Sequence, residues 1–151
     1  DRRIERELLP MAQTYGLGVI PWSPLGGGFL TGKYRRGETA PENTRFHNAT
    51  TGRKGAIMNS DTTLDVVDGL TRLAEEKGCS IGQLALAWAM HQPGITSPII
   101  GPRRMDHLEA NLGAMTVAVD DADREKIDEL SPPGGMVAPF YEGNFGPHQI
   151  R

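Results

Sequence analysis

The segment that most constrains the fold is residues 19–33, in which a short apolar run gives way to a glycine-rich turn ending in Lys33. Apolar runs bounded by turn signals are typical of buried strands, and three consecutive glycines at 26–28 let the backbone turn sharply and expose its N–H groups. Peptide N–H groups converging from such a turn, with a lysine nearby, form a positive concavity suited to a phosphate. The segment therefore predicts an anion-binding loop after a strand.

Residues 27–33 also fit the G-x-x-x-x-G-K spacing of nucleoside-triphosphate loops. That motif requires a Ser or Thr at the next position, to hold magnesium, and a helix that begins there. Here Tyr34 follows, and residues 35–37 show no helical pattern. A magnesium-nucleotide loop is therefore the disfavoured alternative.

Composition excludes several classes of protein. A chain of 151 residues can form one domain with its own core, and its net charge of −3 argues against a general nucleic-acid binder. The sequence contains no long apolar run, so we expect a soluble, cytoplasmic protein without membrane contact. The single cysteine, Cys79, fits a reducing compartment and has the features of a packed side chain rather than a nucleophile. No His, Cys or carboxylate cluster has metal-ligand spacing, so we predict no metal.

Helical periodicity and cap residues predict helices over 8–15, 61–77 and 81–91, a further helix after Arg104, and a last helix capped by Asp120. Strands are predicted at 18–22 and 96–101. The predicted buried stripes of the first and fourth helices are Leu8, Met11, Ala12 and Tyr15, and Met105, Leu108, Leu112 and Met115.

A long polar connection, residues 32–59, follows the glycine turn and carries six Lys or Arg residues against two Glu residues. Connections of this length are uncommon in compact domains and usually serve as lids or binding loops, or are disordered. Its charge fits a solvated loop as well as a phosphate-facing one, but its position after the glycine turn favours an anionic ligand.

The alternation of helices and strands predicts an α/β fold with parallel strands. A (β/α)₈ TIM barrel places its phosphate site in the loops after strands seven and eight, and both predicted strands here end in a loop with glycine and basic residues. The rival is a doubly wound dinucleotide fold. Its glycine motif must follow a strand, whereas Gly16 and Gly18 come at the start of one.

Three motifs carry a family resemblance: W-S-P-L-G-G-G-F-L-T-G-K-Y at 22–34, P-I-I-G-P-R at 98–103 and L-E-A-N-L at 108–112. In this order and separation they resemble the C-terminal half of an aldo-keto reductase, in the branch that includes potassium-channel β subunits. The resemblance implies the C-terminal part of a TIM barrel, about its last two βα units plus a preceding helix and a C-terminal extension. It assigns residues 1–130 to the barrel and residues 131–151 to a Pro/Gly-rich tail.

What the resemblance implies is NADPH-dependent reduction of a small carbonyl substrate. Trp22 takes the position that stacks beneath the nicotinamide, Asn111 faces the adenine, and His107 stands where the family has Gln or Arg on the 2′-phosphate. The remaining implied NADP-binding positions are Ser23, Pro24, Leu25, Gly26 and Gly27 along the pyrophosphate, Lys33 and Arg45 closing over it, and Gly101 and Arg103 at the 2′-phosphate.

We assign no catalytic residue, because the family's Tyr, Lys, Asp and His belong to loops in the first half of the barrel and none of those motifs occurs here. Two other readings stay open: a non-catalytic subunit that binds NADPH to regulate a partner, and an inactive truncated fragment. A half barrel leaves sheet edges and apolar surface open. We therefore expect self-association or a need for the missing N-terminal half. The tail is predicted either to be disordered or to fold over the mouth of a pocket through Phe140, Tyr141 and Phe145.

Overall fold

The computed structural model describes residues 1–47 and 52–138, and this part of the chain is mostly helical. Its α-helices are α1 (Leu8–Thr14), α2 (Gly52–Met58), α3 (Asp61–Glu76), α4 (Ile81–Met90), α5 (Met105–Leu112) and α6 (Asp121–Leu130). Short 3₁₀ helices occupy Arg3–Glu5, Gly26–Thr31 and Gly113–Thr116. In the described ranges, no helix combines the length and apolar character needed to cross a lipid bilayer.

Side-chain caps define where three of the helices begin. The Ser60 hydroxyl accepts a hydrogen bond at the start of α3, and Ser80 and Gln83 form a reciprocal capping box at the start of α4. Asp120 and Asp123 form a second capping box before α6. Each cap satisfies amides that the first helical turn leaves without a partner. The predicted starts of the 81–91 helix and of the helix capped by Asp120 are therefore confirmed.

The core lies where α3 packs against α4 and α6, and it continues into the glycine-rich segment. Helices α3 and α4 contribute apolar side chains from their facing stripes, and Ile127 of α6 closes the cluster. The most deeply buried members of the core include Tyr34, Phe46, Ile57, Leu84 and Leu86. The predicted 61–77 and 81–91 helices are confirmed, and their apolar stripes account for most of this core.

The two predicted strands meet as two isolated parallel bridges, which pair Val19 with Ile95 and Trp22 with Ile99. The amide of Ile99 donates to the carbonyl of Pro21 at 2.8 Å. Helices α2, α3 and α4 lie between the two paired segments in the sequence, an order that agrees with an α/β arrangement. Within residues 1–47 and 52–138 the pairing is shorter than a regular strand, so the barrel stays a prediction.

The prediction of a continuous loop over residues 32–59 is wrong for its last part, which forms α2. Ile57 is 1% exposed and belongs to the core, and burial of such a side chain favours the helical turn that places it there. The tail beyond Leu130 is described as far as Ala138. There the amide of Arg2 donates to the carbonyl of Gly135 at 2.8 Å. Phe140, Tyr141 and Phe145 lie outside the described residues.

Two predicted buried stripes are wrong in part. In α1 the buried residues are Leu9 and Ala12, whereas Tyr15 is 74% exposed just after the helix. In the α5 region Met105 and Met115 are 67% and 66% exposed. Leu8, Met11 and Leu112 are also exposed. Periodicity identifies an apolar face but not the element that covers it, and in the described part of the chain little packs over these faces.

Candidate functional site

The parallel pairing places two loops at the same end of the structure. Because Trp22 lies opposite Ile99 and both segments run in the same direction, residues 23–28 and 100–104 leave from one edge. Paired backbones lie about 4.8 Å apart. The two loops that the sequence predicts to bind phosphate therefore begin side by side.

The glycine-rich loop is tightly folded. Ser23 has a φ of 56°, and Gly26, Gly27 and Gly28 also have positive φ values. The amide of Gly26 donates to the carbonyl of Ser23, and that of Gly28 to Leu25, each at 2.9 Å. The sequence predicted that this turn exposes its N–H groups, and for Gly26 and Gly28 this is wrong because both amides are used inside the loop.

Lys33 lies across the glycine-rich loop. A Cβ atom added at Gly28 would lie 2.7 Å from the Lys33 Nζ, so the absent side chain leaves room for the ammonium group. The same Nζ lies 5.4 Å from the centroid of the Tyr34 ring. A positive charge therefore sits directly on the loop, as a site for an anion requires.

An aromatic cluster fixes the polar connection to the same loop. The ring centroids of Phe29, Tyr34 and Phe46 lie 4.8–5.2 Å apart, a spacing typical of tilted and edge-to-face contacts. Phe46 is 1% exposed, and the adjacent Arg45 is exposed. This cluster was not predicted from the sequence. Two aromatic residues in an otherwise polar connection were the available signal, because such residues rarely stay in solvent.

The second loop carries two adjacent arginines with different environments. Arg104 donates to both oxygens of Asp106, at 2.9 and 2.5 Å, and this contact lowers the pKa of the Asp106 carboxyl. Arg103 is exposed and has no ion pair with any residue that the structure describes. A Cβ added at Gly101 would meet no atom within 4 Å. Arg103 is therefore the guanidinium of this loop that a ligand can approach.

Two further predicted residues lie one turn apart on α5. His107 is exposed and Asn111 is half-buried, and residues four apart share one face of a helix. On the glycine-rich side, Trp22 is 63% exposed, and Pro24 and Leu25 are half-buried. The site therefore presents an indole, several cations and an imidazole around two adjacent loops.

This arrangement is chemically suited to an anion that also carries a flat ring. Lys33, Arg45 and Arg103 supply positive charge, and the exposed Trp22 indole supplies a surface for stacking. In the described ranges no group of His, Cys, Asp or Glu side chains could hold a metal ion. The predicted positions nearest the bridges lie together at one edge. Among the residues that the structure describes, no hydrogen bond or ion pair joins Arg45 or Asn111 to these positions.

Known proteins are similar to most of this chain. Residues 1–132 match the model of the aldo/keto reductase family. The chain is 41% identical over 117 residues to a probable voltage-gated potassium channel subunit beta from Oryza sativa subsp. japonica. It is 34% identical over 142 residues to the uncharacterized oxidoreductase YrpG of Bacillus subtilis, and 31% identical over 140 residues to probable aldo-keto reductase 1 of Glycine max.

These relatives are much longer than the chain. The matches cover 76% of the chain but 35% of the rice protein, and 93% of the chain but 40% and 39% of the bacterial and soybean proteins. The chain thus spans well under half the length of the curated relatives that it matches.

Proposed function

The chain belongs to the aldo/keto reductase family, and from that premise we propose that it forms the coenzyme-binding part of an NADPH-dependent carbonyl reductase. In this proposal residues 1–130 are the C-terminal part of a (β/α)₈ barrel and residues 131–151 are an appended tail. The rest of the barrel supplies the catalytic groups, so no residue of this chain is assigned a catalytic role. We place the protein in the cytoplasm.

Each candidate residue has a distinct part in holding NADP. Trp22 stacks against the nicotinamide, and Lys33 and Arg45 neutralise the pyrophosphate. Residues 23–27 let the coenzyme approach the backbone closely. Because the amide of Gly26 is used inside the loop, the cations carry more of the phosphate contact than the amides do.

The second loop gives the preference for NADPH over NADH. Arg103 and Gly101 receive the 2′-phosphate, His107 lies beside it, and Asn111 faces the adenine. Guanidinium groups bind phosphate through two parallel hydrogen bonds, so a 2′-phosphate beside Arg103 binds more tightly than a 2′-hydroxyl. The bound coenzyme supplies the hydride that reduces a small carbonyl substrate.

The observation that supports this proposal best is the parallel pairing of Trp22 with Ile99. It brings the exposed Trp22 indole to the same edge as the Arg103 guanidinium, which lies 81 positions later and has no ion pair with any described residue. One coenzyme has both a ring to stack and phosphates to bind, and so uses both loops together.

The test is a titration of the 151-residue chain with NADPH and with NADH, followed by tryptophan fluorescence. We expect Arg103→Gln to weaken NADPH binding by roughly tenfold, the loss of a charge-assisted bond, and to leave NADH binding unchanged. Arg72→Gln, which removes an exposed arginine from α3, is the matched control. A flat NADPH titration, or equal losses for both coenzymes, contradicts the proposal.

A second candidate is a regulatory subunit that binds NADPH without reducing a substrate. The names of three relatives favour it: the rice and Arabidopsis thaliana proteins are each named a "probable" voltage-gated potassium channel subunit beta, and the Schizosaccharomyces pombe protein a "putative" one. Sequence upstream of Asp1 separates the two candidates. A Tyr and a Lys in the family's catalytic setting favour the reductase.

A further inference from the structure

A cavity of about 260 Å³ lies between the helical core and the segment that leads into the glycine-rich loop. Pro21, Ser23 and Gly26 form part of one side. The walls are mostly apolar, and the side chains that form them include Leu9, Phe29, Val67, Leu84, Trp88 and Ile127. Apolar cavities of on the order of 150 Å³ stay dry and bind molecules the size of benzene. This cavity therefore has room for one substituted ring.

Thr63 lines one wall of the cavity, and its hydroxyl is buried against the protein without a partner among the described residues. Thr63 is 5% exposed, and its hydroxyl makes no hydrogen bond with any residue in the described ranges. The Ser60 hydroxyl caps the amide of Thr63, so the Thr63 hydroxyl is not part of the cap. Burying a hydroxyl without a hydrogen bond destabilises the folded state. A ligand that bonds to it offsets this loss.

The charged end of the cavity selects against anions. Arg2 is 8% exposed and donates to Glu5 at 2.7 Å and to Asp128 at 2.6 Å, so two carboxylates surround one guanidinium. The guanidinium also lies 4.9 Å from the centroid of the Trp88 ring. Arg2 carries the one guanidinium or Lys ammonium among the described residues that line the cavity, and it is already paired. A carboxylate or phosphate ligand is therefore disfavoured, and a neutral ligand is accepted.

We propose that this cavity binds a neutral single-ring molecule that carries one hydroxyl or carbonyl group. The ring packs against the apolar wall beside Trp88. A rotation about the Cα–Cβ bond of Thr63 exchanges its methyl and hydroxyl positions and turns the hydroxyl to the polar group of the ligand. The cavity shares some lining residues with the proposed NADP site, namely Trp22, Ser23, Pro24 and Gly26, but none of the cations assigned to NADP lines it. Binding of the ring therefore does not require the phosphate-binding cations.

The experiment compares benzyl alcohol with ethylbenzene, two ligands of the same shape that differ in a hydroxyl and a methyl group. Binding to the 151-residue chain is measured by calorimetry and by tryptophan fluorescence, since both tryptophans line the cavity. We expect saturable one-to-one binding of both ligands, with benzyl alcohol tighter. Thr63→Val replaces the hydroxyl of the protein by a methyl group. It should reduce the preference for benzyl alcohol roughly fivefold, which corresponds to one buried hydrogen bond.

Thr62→Val is the matched control, because Thr62 is the exposed neighbour of Thr63 on the same helix. It should keep the preference for benzyl alcohol. The unfolding midpoint of the free Thr63→Val protein should equal or exceed that of the parent, because an unpaired hydroxyl has been replaced by a methyl group. Absence of saturable binding by both ligands overturns the site, and an unchanged preference in Thr63→Val overturns the role of Thr63.

Discussion

Asp123 is a charged side chain that is 6% exposed, and its surroundings determine its protonation. Burial by itself raises the pKa of this carboxyl. The hydrogen bond from Lys77 at 2.5 Å and the bond from the amide of Asp120 at 3.0 Å outweigh burial, so the net pKa of Asp123 lies below its usual value. The same hydrogen bond to Asp123 raises the pKa of Lys77. One carboxylate thus caps α6 and ties it to the end of α3.

The lowered pKa of Asp123 predicts a loss of stability in acid. A carboxyl whose pKa is lower in the folded state stabilises the fold above its unfolded value of about 4, and that contribution disappears as pH falls through the folded value. We expect Asp123→Asn to lower the free energy of unfolding by about 1–3 kcal/mol near neutral pH, and to lose less stability than the parent in acid. Denaturant unfolding of both proteins, measured from neutral pH down into acid, tests both effects.

The control for this prediction is Asp121→Asn, in the same first turn of α6 but exposed. Its unfolding free energy should fall by well under 1 kcal/mol, the amount typical of exposed charges. Equal acid sensitivity in the parent and in Asp123→Asn would contradict the assignment.

At the scale of elements, α3 holds the polar connection by charge. Arg36 pairs with Asp61 and lies 2.6 Å from Asp65 and 3.9 Å from Asp68, three carboxylates on successive turns of α3. All four side chains are exposed, and pairs of this kind contribute little to overall stability. Their effect is local, because they orient residues 33–47 over the glycine-rich loop together with the buried Phe46 ring.

We expect Arg36→Gln to change the unfolding free energy by under about 1 kcal/mol but to loosen the connection. The measurement is the rate of cleavage between residues 33 and 47 by thermolysin, which does not require arginine. Cleavage should be faster in the variant at low salt. The difference in cleavage rate between the variant and the parent should become smaller at about 1 M salt, where charges are screened within about 3 Å. Arg35→Gln, which changes a neighbouring exposed arginine, is the control, and thermolysin should cleave it at the same rate as the parent.

The elements also show what the sequence could predict. The starts of α4 and α6 were predictable because Ser80 with Gln83 and Asp120 with Asp123 are local signals a few residues apart. The hydrogen bond that the Gly26 amide makes inside its loop was not predictable. The sequence shows that glycine permits a turn, but it does not show which carbonyl accepts the glycine N–H. The grouping of site residues at one edge followed from a family resemblance and agrees with the pairing, while their contacts with NADP stay a prediction.

At the scale of the whole molecule, apolar side chains remain uncovered on the paired segments. Ile20, Trp22 and Ile99 are 59%, 63% and 49% exposed. A sequence predicts that such a run is buried but not by what, and the family relatives have more than half of their length outside the region matched here. Exposed apolar surface at the edge of a short strand pairing favours association of the chain with another chain.

We expect the 151-residue chain alone to self-associate as its concentration rises, because these side chains then leave water. Light scattering across a concentration series measures this. Ile20→Thr with Ile99→Thr should reduce association, since it removes apolar area without adding charge. Addition of the complementary part of a family barrel should replace self-association with a defined complex. A monodisperse monomer at all concentrations would contradict the prediction.

The pairing of the two segments that lead into these loops has a consequence for the rate of folding. The amide of Val19 donates to the Thr96 hydroxyl across 77 positions of the chain. Contacts so distant in sequence form slowly, since the intervening segment must first lose conformational freedom. The helices can therefore form before the edge that unites Trp22 with Arg103. A molecule that touches both loops binds only chains that have completed this closure, and it shifts the population towards them.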